Sequence, residues 1–545
     1  MIKQWRLKLS LYLVLLLPLL NGCSGGGAEG SPPTNTVTIS GKITYTDYDI
    51  ESGTGIDYSN PIEKPIRGAD VVFENAHGDY LSWTTTDASG HYTLQAPENT
   101  HINIVVYAIL SDANQEISTW VVDNTNDRFT HTARTSLQTA SENRHHSFNV
   151  DSGWNGTHYS RPRTAAAFAI LDVIYQAQQR VLSVDPNITF SPLVVNWSEL
   201  NVPEKGDGTL GKISSSHYQP STGEIYLLGA ADIDTDEYDD HVIAHEWIHY
   251  LEHNNSRSDS VGGSHAFNDI LDPTIAFGEG LANALATIVL NDSRILNSYG
   301  VNQATVNEWD ADWNSIPNTA LHATGIRFDG YYSRSSISQV IYDIYDSGPG
   351  DDDNVALGFK PIYDALVAGH KSTGAFTSIF SFLHYLKQDQ PASAGDITTL
   401  AQTENIRSGD EFEASTDHFY NDVAPNGTVL SLDLNGAALQ TRETYGPITT
   451  DFFGHGNKLL NRQFFRVNVI NAGCYTLKAI PLSSSDDLAI YITGVRGGFF
   501  DDFVDGEIES QPFYLESGIH SYAIAGRGTV ATYTTSVSPT PSACV

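Results

Sequence analysis

The chain has 545 residues, of which 65 are acidic and 29 are basic, so its formal net charge at pH 7 is −36. A surface of that sign repels phosphate backbones and anionic lipid headgroups, which excludes nucleic-acid binding and electrostatic attachment to membranes. The length is sufficient for about three domains.

The first 22 residues have the pattern of a secretion signal. Basic residues at positions 3, 6 and 8 precede an apolar run over 9–20, which is too short for a stable membrane span. The ending Leu20-Asn21-Gly22-Cys23 resembles a bacterial lipobox, in which the signal is removed before the cysteine and the cysteine carries lipid. The resemblance implies a signal peptide at 1–22 and lipidation at Cys23. An ordinary signal peptide with an incidental cysteine is the alternative.

The residues that follow Cys23 extend this prediction. Ser24 stands where inner-membrane lipoproteins carry an acidic residue, and by resemblance this favours the outer membrane or the cell surface. Residues 23–35 are small, polar and rich in glycine and proline, as expected of a flexible tether. We therefore expect a protein of the bacterial cell envelope that contacts the membrane through its lipid anchor alone.

Residues 36–149 are predicted to form a β-sandwich. Alternating runs at 38–45, 69–73 and 102–107 are separated by turn residues such as those at 87–90. Their order resembles the carboxypeptidase regulatory-like domain, which is a transthyretin-type sandwich. That resemblance implies a folding or docking accessory without chemistry of its own.

Residues 150–410 have a pattern that predicts an α+β unit with two lobes. The stretch 164–183 has apolar residues three and four apart, as in a helix, and strand-like runs follow at 193–195 and 223–228. From about residue 281 onward the pattern is mainly helical. A helix and strands before a buried helix, with a helical lobe after it, is the order expected of a zincin catalytic domain.

The strongest chemical signal is the HExxH motif at 245–249, inside the apolar segment 242–251. On a helix, residues four apart share a face, so His245 and His249 can bind one metal ion. Glu246 follows the first ligand directly, where it can act as general base on a water without binding the metal itself. The motif predicts one catalytic Zn²⁺ and hydrolysis of peptide bonds.

Two histidines need a third ligand to form a catalytic zinc site. A metzincin would have glycine and histidine where this chain has Glu252 and Asn255, so that class is excluded. Glu279 opens a second apolar helix and is the predicted third metal ligand, which leaves a fourth position for water. The alternative third ligands are Glu252, His265, Asp269 and Asp272.

The block HEWIHYLEH at 245–253, followed by FGEGLANALA at 277–286, resembles the gluzincins, the thermolysin-like superfamily. The resemblance covers about residues 223–290. It implies a zinc metalloendopeptidase in which His245, His249 and Glu279 hold the metal and Glu246 is the base. Thermolysin-type enzymes use an aspartate to orient a ligand histidine, but this chain has Asn283 there, and an uncharged amide would make that histidine less basic.

Gluzincins also use a tyrosine or histidine of the helical lobe to stabilise the oxyanion. Tyr332 is the candidate for this catalytic role, with Tyr331, Arg334 and His265 as alternatives. The strand 224–228 is predicted to be the sheet edge along which a protein or peptide substrate pairs.

Two acidic clusters, at 232–240 and 351–353, have the ligand type that Ca²⁺ prefers. Neither follows the spacing of an EF-hand loop. Solvated acidic loops are the favoured interpretation, and bound calcium is the alternative.

Residues 411–545 are again rich in strand patterns and are predicted to form a C-terminal β-sandwich. Their runs at 464–469, 474–477 and 487–492 resemble the bacterial prepeptidase C-terminal domain. In secreted peptidases such domains accompany the catalytic unit, with proposed roles in secretion or surface binding. Cys474 and Cys544 are expected to form a disulfide because the chain is exported, with two free buried thiols as the alternative.

The predicted function is a zinc-dependent metalloendopeptidase of the cell envelope. The main alternative is a surface adhesin or binding scaffold whose zincin core has lost activity, and the intact ligand set with Glu246 argues against it. An exopeptidase is disfavoured because nothing like the aminopeptidase GxMEN element precedes the HExxH motif.

Overall fold

A computed structural model describes residues 35–111, 116–139, 141–263, 265–266, 269–312, 327–347, 353–413, 420–433, 458–459, 462–484, 488–493, 499–500, 507–526, 532–540 and 544. Within these residues the chain is β-rich, with 29 strands in seven sheets and seven α-helices. This confirms the expected multi-sheet architecture with β-sandwich parts. The predicted signal peptide, Cys23 and residues 24–34 of the tether lie outside the described residues.

The N-terminal part of the chain forms short and long strands up to residue 150. In chain order they are β1 (Thr36–Asp47), β2 (Ile50–Glu51), β3 (Gly55–Ile56), β4 (Ile62–Pro65), β5 (Ala69–Asn75), β6 (Tyr80–Thr85), β7 (His91–Pro97), β8 (His101–Ser111), β9 (Ile117–Asp123), β10 (Phe129–Thr130), β11 (Thr132–Gln138), β12 (Arg144–His145) and β13 (Phe148–Val150). Strand β1 is the centre of a five-stranded sheet, antiparallel to β4 and β7 and parallel to β12 and β13. Alternate residues of β1, such as Ile39 and Ile43, are fully buried, as the period of two requires.

A nine-stranded sheet runs through both sides of the predicted boundary at residue 149. Its later strands are β14 (Leu193–Trp197), β15 (His217–Gln219) and β16 (Glu224–Leu227). The order is β15-β16-β14-β9-β8-β5-β6, with β10 on β9 and β11 on β8. Strand β14 is parallel to both β9 and β16, so the backbone groups of β9 are paired by a strand from the following segment. Residues 36–149 therefore share a sheet with the segment that carries the HExxH motif.

Seven helices follow β13 in the described part of the chain. They are α1 (Ala166–Leu182), α2 (Asp240–Asn255), α3 (Pro273–Leu290), α4 (Arg334–Tyr345), α5 (Phe359–Ala365), α6 (Ile379–Asp389) and α7 (Ala394–Thr403). Helix α1 packs on β8 and β9 and against α2, and α3 lies between α2 and α4. Two hairpins join these helices, β17 (Gly229–Ala230) with β18 (Asp234–Thr235), and β19 (Arg294–Tyr299) with β20 (Thr305–Asp310).

One hydrophobic core joins the N-terminal sandwich, the nine-stranded sheet and the helices. It extends along the chain from Val37 to Leu459. Helix α3 has the length and hydropathy of a membrane span, but 89% of that stretch is buried inside the protein. We interpret it as the central core helix, since its apolar residues pack against α2 and α4.

The C-terminal sandwich has two facing sheets and its own core. Its strands are β21 (Asn421–Val423), β22 (Leu430–Asp433), β23 (Arg462–Val469), β24 (Gly473–Pro481), β25 (Leu488–Ile492), β26 (Phe499–Phe500), β27 (Glu509–Leu515), β28 (Gly518–Gly526) and β29 (Thr532–Pro539). The orders are β21-β23-β28-β25-β26 and β22-β29-β24-β27. Phe465 and Tyr522 are cross-strand neighbours in the first sheet and stack with ring centroids 4.9 Å apart, and the Tyr522 hydroxyl forms a hydrogen bond with that of Thr535 in the second sheet. A disulfide joins Cys474 to Cys544, which confirms the predicted pairing.

Candidate metal centre

Helix α2 carries the HExxH motif and is anchored in the core. Ile243, Ala244, Trp247 and Ile248 are at most 1% exposed, so three sides of the helix are fixed by packing. The histidines lie on the remaining side, where their side chains are 16% and 20% exposed. The apolar pattern around the motif thus leaves one face of α2 for chemistry.

Helix α3 brings Glu279 to that face. The helix begins with Asp272 as its N-cap, whose carboxylate accepts a hydrogen bond from the backbone N–H of Thr274. Gly280, directly after Glu279, has a packing role, because a Cβ there would lie 2.6 Å from the Cβ of Ile337 on α4. The absence of a side chain at Gly280 lets α3 and α4 approach closely beside Glu279.

The three predicted ligands lie together. The Nε2 atoms of His245 and His249 are 3.1 Å apart. The Glu279 carboxylate oxygens are 3.5 Å from the Nε2 atom of His245 and 3.4 Å from that of His249. One donor atom from each residue lies within 4.8 Å of the other two.

The spacing fits a zinc ion. Tetrahedral zinc with ligands at about 2.0–2.1 Å separates neighbouring donor atoms by about 3.3–3.4 Å, and the distance between the two Nε2 atoms and the distance from each of them to its nearer Glu279 oxygen are close to this value. The facing Nε2 atoms also fit, because a neutral imidazole that donates from Nδ1 presents a lone pair at Nε2. A cation between the two lone pairs would satisfy both of them.

Each histidine has a partner behind it. The Nδ1 atom of His245 is 2.8 Å from the Oδ1 atom of Asn283, the contact expected from the position of Asn283 one helical turn after Glu279. Behind His249, the Glu252 carboxylate lies 4.0 Å from Nδ1 and its side chain is 2% exposed. Glu252, an alternative ligand in the sequence, therefore sits on the outer side of His249 rather than beside Nε2. The contact with Asn283 is a hydrogen bond of the kind that fixes the tautomer and orientation of a ligand imidazole, whereas Glu252 is too far from Nδ1 for one and acts through its charge.

Glu246 points to the edge of the nine-stranded sheet. Its Oε2 atom accepts a hydrogen bond of 2.7 Å from the backbone N–H of Tyr218, which lies in β15. Strand β15 is the end of that sheet, whereas β16 is paired on both sides, by β15 and β14. The expectation that the strand at 224–228 is the edge is therefore wrong. The three-residue strand β15 was missed because it is too short to show an alternating pattern.

Two cationic side chains contact the Glu279 carboxylate from outside α2. His265 places Nε2 3.1 Å from Oε2, and Arg334 places Nη1 3.4 Å from the same oxygen. Burial alone would raise the pKa of the Glu279 carboxyl, but the rings of His265, His245 and His249 outweigh it and hold that pKa well below its ordinary value. Glu279 is therefore a carboxylate, the form that binds a metal ion.

Tyr332, the candidate for oxyanion stabilisation, has its hydroxyl in a local hydrogen bond. The hydroxyl donates to the backbone carbonyl of Asp329 at 3.1 Å, and the Tyr332 ring lies over Gly330. A catalytic role for this hydroxyl would require it to exchange that partner for the substrate. Among the alternatives, His265 and Arg334 already contact the ligand set.

The remaining alternative ligands have structural partners. Asp269 accepts from Lys458 and Asp272 from Arg462, both in buried ion pairs. Each aspartate is 4% or less exposed. Both carboxylates are therefore bound in ion pairs near the start of α3 and are not among the donor atoms that surround the candidate centre.

The acidic cluster at 232–240 differs from the expected solvated loop. Asp236, Glu237 and Asp239 are at most 2% exposed, so this expectation is wrong for half of the acidic residues in the cluster. Glu237 pairs with Arg163 at 2.5 Å, and Asp239 accepts two hydrogen bonds from Ser298. Burial raises the pKa of Asp236 and of Asp239 well above the ordinary value. In the second cluster, Asp351 and Asp352 lie outside the described residues.

Comparisons with known proteins give only distant likenesses. No family model and no curated protein matches the chain. The chain is similar to the pre-peptidase C-terminal domain of a collagenase from Bacillus anthracis at 11% identity and a TM-score of 0.15, over 23% of this chain and 99% of that one. It is similar to the Bacillus anthracis TIE protein at 11% identity and a TM-score of 0.13, over 21% of this chain and 17% of that one. A third likeness, to the periplasmic lysozyme inhibitor PliG of Aeromonas hydrophila, has 13% identity, a TM-score of 0.11 and covers 22% and 100% of the two chains.

Proposed function

We propose that the protein is a zinc-dependent metalloendopeptidase of gluzincin type, with a two-lobed zincin catalytic unit formed around α2 and α3. The observation that carries the proposal is the spacing of His245, His249 and Glu279, whose nearest donor atoms are 3.1–3.5 Å apart, with a different Glu279 oxygen nearest each histidine. That spacing suits a tetrahedral cation with one position left for water, which is the form of a catalytic rather than a structural zinc site.

The metal, when bound, would supply a Lewis acid and lower the pKa of its water to about 7. Glu246 would take up the proton of the attacking water, because it directly follows a ligand in the chain and its carboxylate is oriented by the hydrogen bond from the N–H of Tyr218. The hydrogen bond fixes one carboxylate oxygen and leaves the other to take the proton. Glu246 would then pass the proton to the leaving amine as the peptide bond breaks.

The charge that develops on the scissile carbonyl oxygen needs donors besides the metal. Arg334 and His265 both contact Glu279, and their side chains are 15% and 19% exposed, so they lie where little water can screen their interactions. We assign the stabilisation of the oxyanion to this pair, with the Tyr332 hydroxyl as the alternative.

An extended peptide is the substrate that this arrangement favours. The open side of β15 lies beside Glu246, and an edge strand can pair with a substrate backbone. The substrate would then lie along the sheet with its scissile bond next to the catalytic glutamate. The signal peptide and the lipobox-like Cys23 favour protein or peptide substrates at the cell envelope.

The test compares Glu246→Gln with the unaltered protein. We expect equal zinc content and a loss of casein or peptide cleavage of several orders of magnitude, since the substitution removes the base and keeps the ligands. Glu204→Gln, at an exposed pair with Lys212, is the matched control and should leave cleavage unchanged. Zinc bound with full cleavage by the Glu246→Gln variant would exclude Glu246 as the base. Peptide binding without zinc would favour the inactive scaffold.

A further inference from the structure

A buried ion pair joins the C-terminal sandwich to the first turn of α3. Arg462, the first residue of β23, donates from Nε to one oxygen of Asp272 at 2.9 Å and from Nη2 to the other at 2.6 Å. The same Nη2 donates to the Thr274 hydroxyl at 3.0 Å. The side chains of Arg462 and Asp272 are 0% and 1% exposed. This two-point contact fixes both the position and the orientation of the N-cap carboxylate.

Aromatic rings enclose the guanidinium. The rings of Phe376, Phe464 and Tyr491 have their centroids 5.0–5.3 Å from its central carbon. Phe376 precedes α6, whereas Phe464 and Tyr491 belong to the C-terminal sandwich. The helical part of the protein and the sandwich therefore enclose the guanidinium together. An ion pair removed from water in this way keeps a fixed geometry, because neither partner can exchange the other for solvent.

A second contact holds the loop before α3. Lys458 pairs with Asp269 at 2.5 Å, and the backbone N–H of Leu459 donates to the carbonyl of Ile270 at 3.2 Å. The same oxygen of Asp269 accepts from the N–H of Ala266 at 2.8 Å. Ala266 follows His265, the residue that contacts Glu279. Lys458 therefore acts on the loop that carries His265.

Both contacts lead to the candidate metal centre. Asp272 and Glu279 are seven positions apart on α3, which is two helical turns on one face and about 10 Å along the axis. Because a helix of this length is stiff, a displaced cap shifts Glu279 as well, and the cap contacts therefore add to the packing of α3 against α2 and α4 in holding Glu279 in place. We propose that Lys458 and Arg462 are positioning residues of the metal centre and that the C-terminal sandwich is a necessary part of it rather than a detachable appendage. This inference rests on the proposed zinc-dependent function.

Replacement of Lys458 or Arg462 by a neutral side chain would leave Asp269 or Asp272 buried without its cation. A buried charge without its partner is strongly unfavourable, so the loop and the cap would rearrange towards water. The rearrangement would shift Glu279 and His265 while the two histidines stay on the anchored helix α2. Zinc would then be bound by two well-placed ligands and one displaced ligand.

The test uses the full-length protein with Arg462→Gln and Lys458→Met. Arg466→Gln is the matched control, since Arg466 lies four residues along the same strand and pairs with Asp422 at 2.6 Å inside the sandwich, at an aspartate that is 76% exposed. Zinc affinity is measured by competition with a chromogenic chelator, at a temperature where circular dichroism shows each metal-free variant to be folded. The absorption spectrum of the Co²⁺-loaded protein reports the ligand geometry independently of affinity.

We expect both variants to bind zinc at least about 10-fold more weakly than the unaltered protein, with a changed Co²⁺ spectrum, as for residues that orient metal ligands. Arg462→Lys should recover part of the loss, because an ammonium group can hold one oxygen of Asp272 but not both. Arg466→Gln should match the unaltered protein.

The outcomes separate the two proposals. If the unaltered protein does not bind zinc, the proposed function fails. If it binds zinc and the folded variants bind equally well, or Arg466→Gln loses as much affinity as they do, the positioning role is wrong. If Arg462→Gln does not fold, Lys458→Met decides in the same way, since its side chain is 11% exposed and its loss leaves the Asp272 contact intact.

Discussion

The Nδ1 atom of His245 lies 2.8 Å from the Oδ1 atom of Asn283, so an uncharged amide stands behind one candidate ligand. The carboxylate of Glu252 lies behind the other, 4.0 Å from the Nδ1 atom of His249. A carboxylate therefore lies behind the imidazole of His249, whereas a neutral amide lies behind that of His245. A carboxylate behind an imidazole makes it a more basic ligand, so His249 should be the stronger of the two.

Substitution of Asn283 tests this asymmetry. Asn283→Ala should weaken zinc binding roughly 10- to 100-fold, because His245 loses the acceptor that orients its ring. Asn283→Asp should bind zinc at least as tightly as the unaltered protein, since the acceptor returns with a negative charge. Chelator competition measures both. Equal affinities for all three proteins would show that the contact does not support the metal.

Gly280 provides a second prediction, on helix packing. In Gly280→Ala the new Cβ would meet the Cβ of Ile337 at 2.6 Å and the carbonyl oxygen of Arg334 at 2.9 Å. Helices α3 and α4 must then separate, at a cost of about 1–3 kcal/mol in the free energy of unfolding. The separation also shifts Glu279 relative to His245 and His249, so zinc binding should weaken.

Gly395→Ala is the matched control for Gly280→Ala. Gly395 lies in helix α7, and nothing lies within 4 Å of the position of its Cβ. Alanine there should leave the protein as stable as before or slightly more stable, since glycine is a poor helix former. Thermal unfolding of the two variants, followed by tryptophan fluorescence, measures the difference. A larger loss in Gly395→Ala than in Gly280→Ala would contradict the packing role.

Periodicity in the sequence predicted the individual elements well. The helix expected at 164–183 is observed as Ala166–Leu182, and the strand expected at 464–469 as Arg462–Val469. These segments bury one face or one stripe, and burial imposes a period that the sequence displays. The HExxH motif and Glu279 could also be recognised in the sequence, because their chemistry depends on residue type and on spacing along the chain.

Contacts between segments that are far apart in the chain could not be predicted from the sequence. The pairing of β9 with β14 joins residues on both sides of an expected domain boundary, and such pairing leaves no local pattern. The contact between Arg462 and Asp272 spans 190 positions, and each residue alone resembles an ordinary surface charge. Their burial decides their role, and burial of a charged side chain follows from the tertiary fold alone.

The disulfide gives a prediction confined to the C-terminal sandwich. Cys474 and Cys544 are 70 positions apart, and the bond joins β24 to the end of the chain. Replacement of both by serine should lower the stability of the sandwich by about 2–4 kcal/mol, chiefly because the unfolded chain gains freedom. All eight tryptophans precede residue 411, so tryptophan fluorescence reports the part of the protein outside the sandwich, whereas calorimetry reports both parts. A fall in the tryptophan transition as large as the fall in the calorimetric transition of the sandwich would indicate that the two parts unfold together.

His370 gives a prediction about pH. The residue is 0% exposed, and its ring lies 4.8 Å from that of Phe277 on α3. Burial, with a smaller contribution from Arg257, lowers the pKa of His370 to about 3. In the unfolded chain a histidine has a pKa of about 6.5, so the unfolded state takes up a proton first as the pH falls. The stability that His370 supports is therefore complete above about pH 6.5 and is lost progressively between about 6.5 and 3, by up to about 1.4 kcal/mol per pH unit.

His370→Gln should remove this part of the acid dependence. The variant should be less stable than the unaltered protein at pH 7.5, because the packing against Phe277 changes, yet the gap should narrow at pH 5. Urea unfolding of the metal-free protein at both values, followed by tryptophan fluorescence, measures the gap without interference from metal release. His77→Gln, at an exposed residue, is the control and should run parallel to the unaltered protein. Since proton uptake by the unfolded chain is the cause, a gap that stays constant from pH 7.5 to pH 5 would show that His370 is protonated in the folded protein as readily as in the unfolded chain.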